Sequence, residues 1–501
     1  MEGVALTLNL ISDPWIPVLD AQGRRRRIAP WQMTEPGLIR PDWPRPDLNI
    51  ACLEMLTGLV FLADPPEGPS DWRARRKADP ARLREKLAAF APAFNLTGEG
   101  PLFLQDMEKL VGEANPADML FIDSAGGNTA RNNADLMVHR DRYPALDPAL
   151  AAMALYTFQA HAPAGGAGNR TSMRGGGPLV TLIDPGDGLW ALIWANVPHG
   201  TPGAARDLPW MRATRVSEKG AAETLPPAGG GLVTEAFFGM PRRLRLVEGD
   251  GAIHGVIQKP WGTNYRLWVH PLTPYYRQKA GEELLPVHPR AGSFGYRHWL
   301  GILAEVSGSE TQQVATALKL WEARRSTAIR PASVLVAGWA MDNMKPRDFV
   351  LSVQPDVVLS PEAEMVLPGL IIAAEKAAVV LRGALEPLLA DSARREGERE
   401  AFFMATEAAF RDRFAELQAG RAGEQVAGRW LTDLRRQALL QFDALALPGL
   451  DQRETDRIAA IVKARGNLLS AFSGFGKLGG EMLTQLGLAK PEPAKKKGKA
   501  A

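Results

Sequence analysis

The chain has 501 residues, which at about 150 per domain gives two to four domains. Apolar residues make up 46%, and 59 Lys plus Arg stand against 56 Asp plus Glu for a net +3, which excludes general disorder, collagen and a plain coiled coil. A single cysteine, Cys52, excludes an internal disulfide and a thiolate metal cluster, and fits a reducing, cytoplasmic compartment. The charge is unevenly placed. Residues 490–501 hold five lysines and one glutamate, so +4 sits there and the first 489 residues sum to −1. Nucleic-acid binding therefore has to rest on local basic patches and not on bulk charge.

In chain order, the opening MEGVALTLNLISDPW lacks the basic and long apolar regions of a signal peptide, and no run of eighteen uninterrupted apolar residues follows. The sequence is thus expected neither to span a membrane nor to leave the cell. Residues 47–63 place Ile50, Leu53, Met55, Leu56, Leu59 and Val60 on a broad apolar helical face. Residues 147–160 open a second helix with Asp147 as N-cap and Pro148 at its first position. The short apolar runs LVTLI (179–183), LWALIW (189–194) and SVLVAGW (333–339) read as strands.

After Pro361 the texture changes to apolar stripes at helical spacing. Four helical stretches are expected, 362–391, 396–419, 422–445 and 451–487. Asp391-Ser392, Gly420 with Gly423, and Pro448-Gly449 mark the breaks, and Asp451 with Glu454 suggests an N-terminal cap. The fold class is α+β: a large irregular mixed domain over 1–360, an all-α four-helix bundle over 361–488 and a disordered basic tail over 489–501.

Catalytic signatures are missing. The seven histidines form no HExxH or HxH pattern, and SGFGKL (473–478) lacks the spacing and hydroxyl of a phosphate-binding loop, so it reads as helical packing. Asp342 in AMDNMK reads as a turn or cap residue. No enzyme activity, cofactor or metal is expected. Instead, APAGGAGNRTSMRGGGP (162–178) carries six glycines and two arginines, either a flexible linker or a loop whose main chain can approach a sugar-phosphate edge. SAGGNTARNNAD (124–135) mixes glycine with Asn128, Arg131, Asn132 and Asn133, potential phosphate donors or an ordinary polar loop. Basic clusters at Arg24–Arg27 and at Arg73, Arg75, Arg76 and Lys77 are solvated faces or nucleic-acid contacts.

NLISDPWIPVLDAQGR (9–24) resembles the opening of the CasA family, the large subunits of the type I-E CRISPR surveillance complex Cascade. FNLTGEGPLFLQD (94–106), APAGGAGNRTSMRGGGPLVT (162–181), IQKPWGTNYRLWVHPLTPY (257–275) and GWAMDNMKPR (338–347) resemble further family segments in the same order. The resemblance implies a non-catalytic subunit that recognises the protospacer-adjacent motif (PAM) in double-stranded DNA, promotes strand opening and helps recruit the helicase-nuclease. Its implied partners are the guide CRISPR RNA, the target duplex, the backbone and small Cascade subunits and the helicase-nuclease, with no membrane and no cofactor. By the same resemblance Gly165, Gly166, Gly168, Asn169 and Arg170 form the motif-reading loop and Lys259 the finger beside it, suited to the degenerate minor groove. Asn343, with Met344 beside it, falls at the strand wedge, where the family carries glutamine. Gly126, Asn128, Arg131 and Asn132 fall in the segment that contacts guide RNA or the neighbouring backbone subunit. The C-terminal helices correspond to those that pack on the small subunits. The competing reading is a free-standing DNA-processing enzyme of a phage-defence operon, disfavoured by the lack of Walker, HNH and HD signatures.

Overall fold

The computed structural model describes residues 8–124, 131–133, 138–139, 142–166, 168–218, 222–229, 231–306, 308–325 and 332–490. The chain forms two compact units, the first of Met1–Gly292, Gly301–Leu303 and Glu310–Asp356, the second of Ser293–Leu300, Ala304–Ser309 and Val357–Ala501. Mixed helix and strand in the first and helices in the second make the α+β class.

The first unit is built from small sheets around two buried helices. Helix α1 (Pro46–Ala63) starts at Pro46 and is buried on nearly every face; it is long and apolar enough to cross a bilayer, yet here it is a core helix. α2 (Pro69–Ala74) and α3 (Pro80–Ala88) follow. α4 (Pro148–His161) packs on α1, and the Asp147 side chain caps it as expected, accepting from the N–H groups of Ala149 (3.0 Å) and Leu150 (3.4 Å). A first sheet has β1 (Ile16–Asp20) between β2 (Arg25–Ile28) and β3 (Leu38–Pro41). A second pairs β4 (Asn115–Pro116), β8 (Ala252–Lys259) and β7 (Arg243–Gly249), while the two-residue strands β6 (Glu223–Thr224) and β9 (Asn264–Tyr265) pair in parallel and β10 (Tyr275–Tyr276) lies between β11 (Leu285–Pro286) and β12 (Gln312–Gln313). In the third, β13 (Ser333–Asp342) lies between β5 (Val180–Asp184) and β14 (Lys345–Pro355), antiparallel to both. Pairing with β5 ends at Ala337, so from Gly338 onward β13 and β14 continue as a two-stranded ribbon.

One expected strand is a helix. LWALIW lies in α5 (Leu189–Asn196), because a short run apolar on all sides carries no period to separate strand from buried helix. The helix is favoured by an i,i+4 stack of Trp190 on Trp194, with ring centroids 5.2 Å apart. One further helix of the first unit, α6, spans Thr316–Arg324.

The second unit contains α7 (Pro361–Ala384), α8 (Ser392–Gln418), α9 (Gly423–Ala446), α10 (Thr455–Phe472) and α11 (Gly476–Gln485). α7 packs against all four others. The expected fourth stretch is divided: Gly474 and Gly476 both sit in the left-handed region (φ 87° and 72°), and the chain folds back there. The expected cap at Asp451 lies in a short 3-10 turn, and α10 begins after Glu454. Residues 293–300, inside the expected first domain, pack with the helices because Tyr296 stacks on Phe410 (4.2 Å) and hydrogen-bonds Thr406 (2.8 Å).

Candidate nucleic-acid interface

The glycine-rich segment leaves the C-terminus of α4 and is anchored at both feet. His161 Nε2 lies 2.7 Å from Glu54 Oε1, and Arg174 Nη1 lies 2.7 Å from Glu54 Oε2. All three are almost wholly buried. His270 joins them, with Nε2 3.8 Å from Glu54 Oε2 and Nδ1 accepting from the Leu272 N–H (3.2 Å). Burial alone would raise the Glu54 carboxyl, but Arg174 and His161 outweigh it and hold it well below the ordinary carboxylate range. Burial, helped by Arg174, pushes His270 well below the usual imidazole value, so it is neutral near pH 7.

Between these feet the loop closes on itself, the Asn169 N–H donating to Gly166 (2.8 Å) and the Gly165 N–H to Asn169 (3.2 Å). Arg242 braces it from beneath: Nε donates to the Arg170 carbonyl (2.5 Å) and Nη2 to the Pro163 carbonyl. Burial lowers this guanidinium to about 10. Gly168 is left-handed (φ 80°), and a Cβ there would meet the Trp261 indole at 2.7 Å. The need for glycine at 168 is thus internal packing. Gly166 (φ 67°) faces open space, so it is here that the main chain is accessible.

Trp261 ties the loop to the lysine. Its N–H donates to the Gly168 carbonyl (2.9 Å), its carbonyl accepts from the Ser217 N–H (2.9 Å), and it sits two residues beyond Lys259, the last residue of β8. Arg170 lies over the indole, 5.2 Å from the ring centre, and donates to Ser217 Oγ (2.9 Å). Among the described residues no carboxylate pairs with Arg170, Arg242 or Lys259, whereas the neighbouring Arg243 is held by Asp106 (2.6 Å) and Glu108 (2.7 Å). Arg170 and Lys259, half-buried, without carboxylate partners among the described residues and joined through Trp261 to the open glycine backbone, suit an anionic ligand, whereas Arg242, 4% exposed, holds the loop from inside.

The far end of the same segment reaches the ribbon. A Cβ on Gly177 would strike the Trp339 carbonyl, and one on Gly338 would come 2.5 Å from the Pro178 carbonyl. Five residues beyond Gly338, Asn343 and Met344 form a two-residue turn between the paired Asp342 and Lys345. Both are left-handed (φ 48° and 61°), as a type I′ hairpin requires, and Met344 is 50% exposed. An exposed, left-handed methionine is strained, which directs attention to function. Asp342, expected as a turn residue, ends β13 and pairs with Arg347 (2.8 Å).

Of the other candidate loop, Arg131 and Asn132 are exposed, while Gly126 and Asn128 lie outside the described residues. Asp123 and Arg142 close its base with a 2.5 Å ion pair, and Arg45 adds a second at 3.0 Å. Among the described residues no group of three or more His, Cys, Asp or Glu side chains could hold a metal.

Sequence reasoning missed Glu54, Arg242 and Trp261. Glu54 had a signal, a lone carboxylate inside an apolar helix, which demands a buried partner. Trp261 stands inside IQKPWGTNYRLWVHPLTPY, beside the lysine already chosen. Arg242, in PRRLRL, had none.

The model of the family CRISPR-associated protein Cse1 matches residues 9–441, and the chain belongs to this family. Its fold is similar to that of CasA from Thermus thermophilus (TM-score 0.72, 19% identity, 95% of this chain and 99% of that one). It is also similar to Cse1 from Acidimicrobium ferrooxidans (TM-score 0.66, 20% identity, 96% and 99%) and to a chain of a structure described as a CRISPR RNA-guided surveillance complex (TM-score 0.67, 17% identity, 93% and 100%).

Proposed function

We propose that the chain is the non-catalytic large subunit of a type I-E Cascade, cytoplasmic, assembled with guide RNA and the backbone and small subunits, and that it recognises the protospacer-adjacent motif in duplex DNA. Family membership and the likeness to a surveillance-complex chain support the assembly. The observation that supports the DNA-reading role is the open Gly166 backbone together with Arg170 and Lys259, cations without carboxylate partners among the described residues, on a loop that the buried Arg242 holds in place. Such a face places main-chain and lysine donors against the acceptors of a minor groove and the flanking phosphates. The Asn343-Met344 tip is the strand wedge, inserting an apolar side chain where the first base pair opens. Arg131 and Asn132 belong to the guide RNA or subunit contact. The bundle docks the small subunits, and the assembled face recruits the helicase-nuclease.

The test assembles the chain with guide RNA and sister subunits and measures binding to duplexes that differ only in the motif. Lys259→Ala should weaken binding to the preferred motif by about 1–3 kcal/mol, the scale of one lost base contact. Unchanged affinity across all motifs, in a complex that still assembles, would remove Lys259 from the reading face.

A further inference from the structure

The two basic clusters of the sequence have different fates. Arg24, Arg25, Arg26 and Arg27 are each paired, with Asp20 (2.8 Å), Asp42 (2.5 Å), Glu35 (2.5 Å) and Asp147 (3.6 Å). In the second cluster only Arg75 is neutralised, by Asp64 (2.5 Å) and Asp71 (3.0 Å). Arg73, Arg76 and Lys77 are exposed, and among the described residues none of them meets a carboxylate.

These three line a cavity of about 560 Å³ in the first unit, distinct from the glycine loop. Its floor is aromatic and rigid. Trp72 and Trp194 donate their indole N–H groups to each other's carbonyls (2.8 and 3.0 Å), and Trp190 stacks on Trp194 with planes 19° apart. The Trp190 indole N–H donates to the Arg76 carbonyl (3.1 Å), which fixes the ring beside the cations. Trp72, Trp194 and Trp321 are core residues, at most 2% exposed, but Trp190 is only half-buried. Packing accounts for the first three and leaves Trp190 with a face toward the cleft's lining. Of the two acids in the lining, Glu35 is occupied by Arg26 and Gln32, so Asp187 alone opposes three cations.

We propose that this cavity holds one nucleotide of a single-stranded nucleic acid, its base against Trp190 and its flanking phosphates on Arg73, Arg76 and Lys77. An indole beside a track of cations is how single strands are held without sequence preference, since every base has a π-face. The volume lies in the roughly 300–1,000 Å³ range of small-ligand sites, too small for a duplex. The Trp190 N–H is already used, so no base-edge reading is built in. An acidic peptide would satisfy the cations but leave the indole without a stacking partner, and a free mononucleotide would use only part of the cation track.

The experiment titrates the purified full chain with a labelled ten-residue oligothymidylate, with AMP and with a ten-residue glutamate peptide as competitors. Arg76→Glu with Lys77→Glu, at exposed positions without carboxylate partners, should weaken strand binding at least ~10-fold and lower the salt slope by about 1.4, two contacts at about 0.7 each. Trp190→Leu, which keeps apolar volume but no ring, should weaken it at least ~5-fold. Arg24→Glu with Arg25→Glu should change it little, and motif-dependent duplex binding by the assembled complex should survive the Arg76/Lys77 change. Equal strand affinity in the Arg76/Lys77 variant and parent would overturn the proposal. So would an equal loss in the Arg24/Arg25 variant, or AMP or the peptide binding as tightly as the strand.

Discussion

The glycine loop and the hairpin tip are both exposed projections of the first unit, yet they are held in opposite ways. The loop stands on buried charges, with His161 and Arg174 at its feet meeting on Glu54, Arg242 bracing its carbonyls and Trp261 closing its side. Among the described residues the tip is held by its own strand pairing and turn and by the Asp342–Arg347 pair. A surface that discriminates between similar partners has to be fixed before contact, since ordering it on binding costs affinity. A wedge has only to be stiff in backbone and apolar at its end. On the proposed roles the difference separates reading from opening, and it can be broken at either side.

The largest effect is expected at the foot of the loop. Glu54→Gln leaves Arg174 a buried cation without its counter-charge, and loss of one partner of a buried pair costs about 3–5 kcal/mol. Chemical denaturation should register that loss, and complexes that do assemble should bind DNA with reduced motif preference. Full stability in this variant would show that the loop does not rest on the cluster.

Next comes pH. The His270 value in the fold is depressed below its unfolded value of about 6.5, so the stability it supports is present above that pH and is lost as pH falls through the window beneath it. His199, lowered to about 4 by burial and Arg324, acts in the same sense. Melting temperature should fall between about pH 6.5 and 4, and His270→Gln should flatten part of that slope. A slope unchanged by the substitution would exclude His270 as a contributor.

The smallest change in stability is expected at the tip. Met344→Gly relieves a left-handed side chain, a strain of about 1–2 kcal/mol partly offset by the added chain entropy of glycine, so stability should hold or rise by up to about 1 kcal/mol. Binding to a pre-opened target should be retained while opening of a fully paired, relaxed duplex slows. Equal opening rates would move the wedge elsewhere.

The helices at 46–63 and 148–161 were legible from the broad apolar face read over 47–63 and from the Asp147 cap with Pro148, although both helices are buried on nearly every side. The run 189–194 was not, since six consecutive apolar residues have no face to show. In the site, the glycines, Arg170 and Lys259 were readable as residue types, but what joins them was not. Glu54 lies more than a hundred residues from His161, and the Gly168 requirement is set by Trp261, so neither dependence has a local signature. The split of the last helical stretch was available in SGFGKL, where Gly474 and Gly476 read as packing until their backbone angles are known.

The most direct measurement uses Gly166. Its surroundings are open and aspartate tolerates the left-handed region, so Gly166→Asp should fold normally while setting a carboxylate on the loop that carries Arg170 and that Trp261 joins to Lys259. Affinity of the assembled complex for duplex with the preferred motif should fall at least ~10-fold, about 1.4 kcal/mol, and the preference among motifs should collapse, with melting temperature and subunit assembly unchanged. Retained affinity and motif preference in that variant would contradict the assignment of this face to DNA.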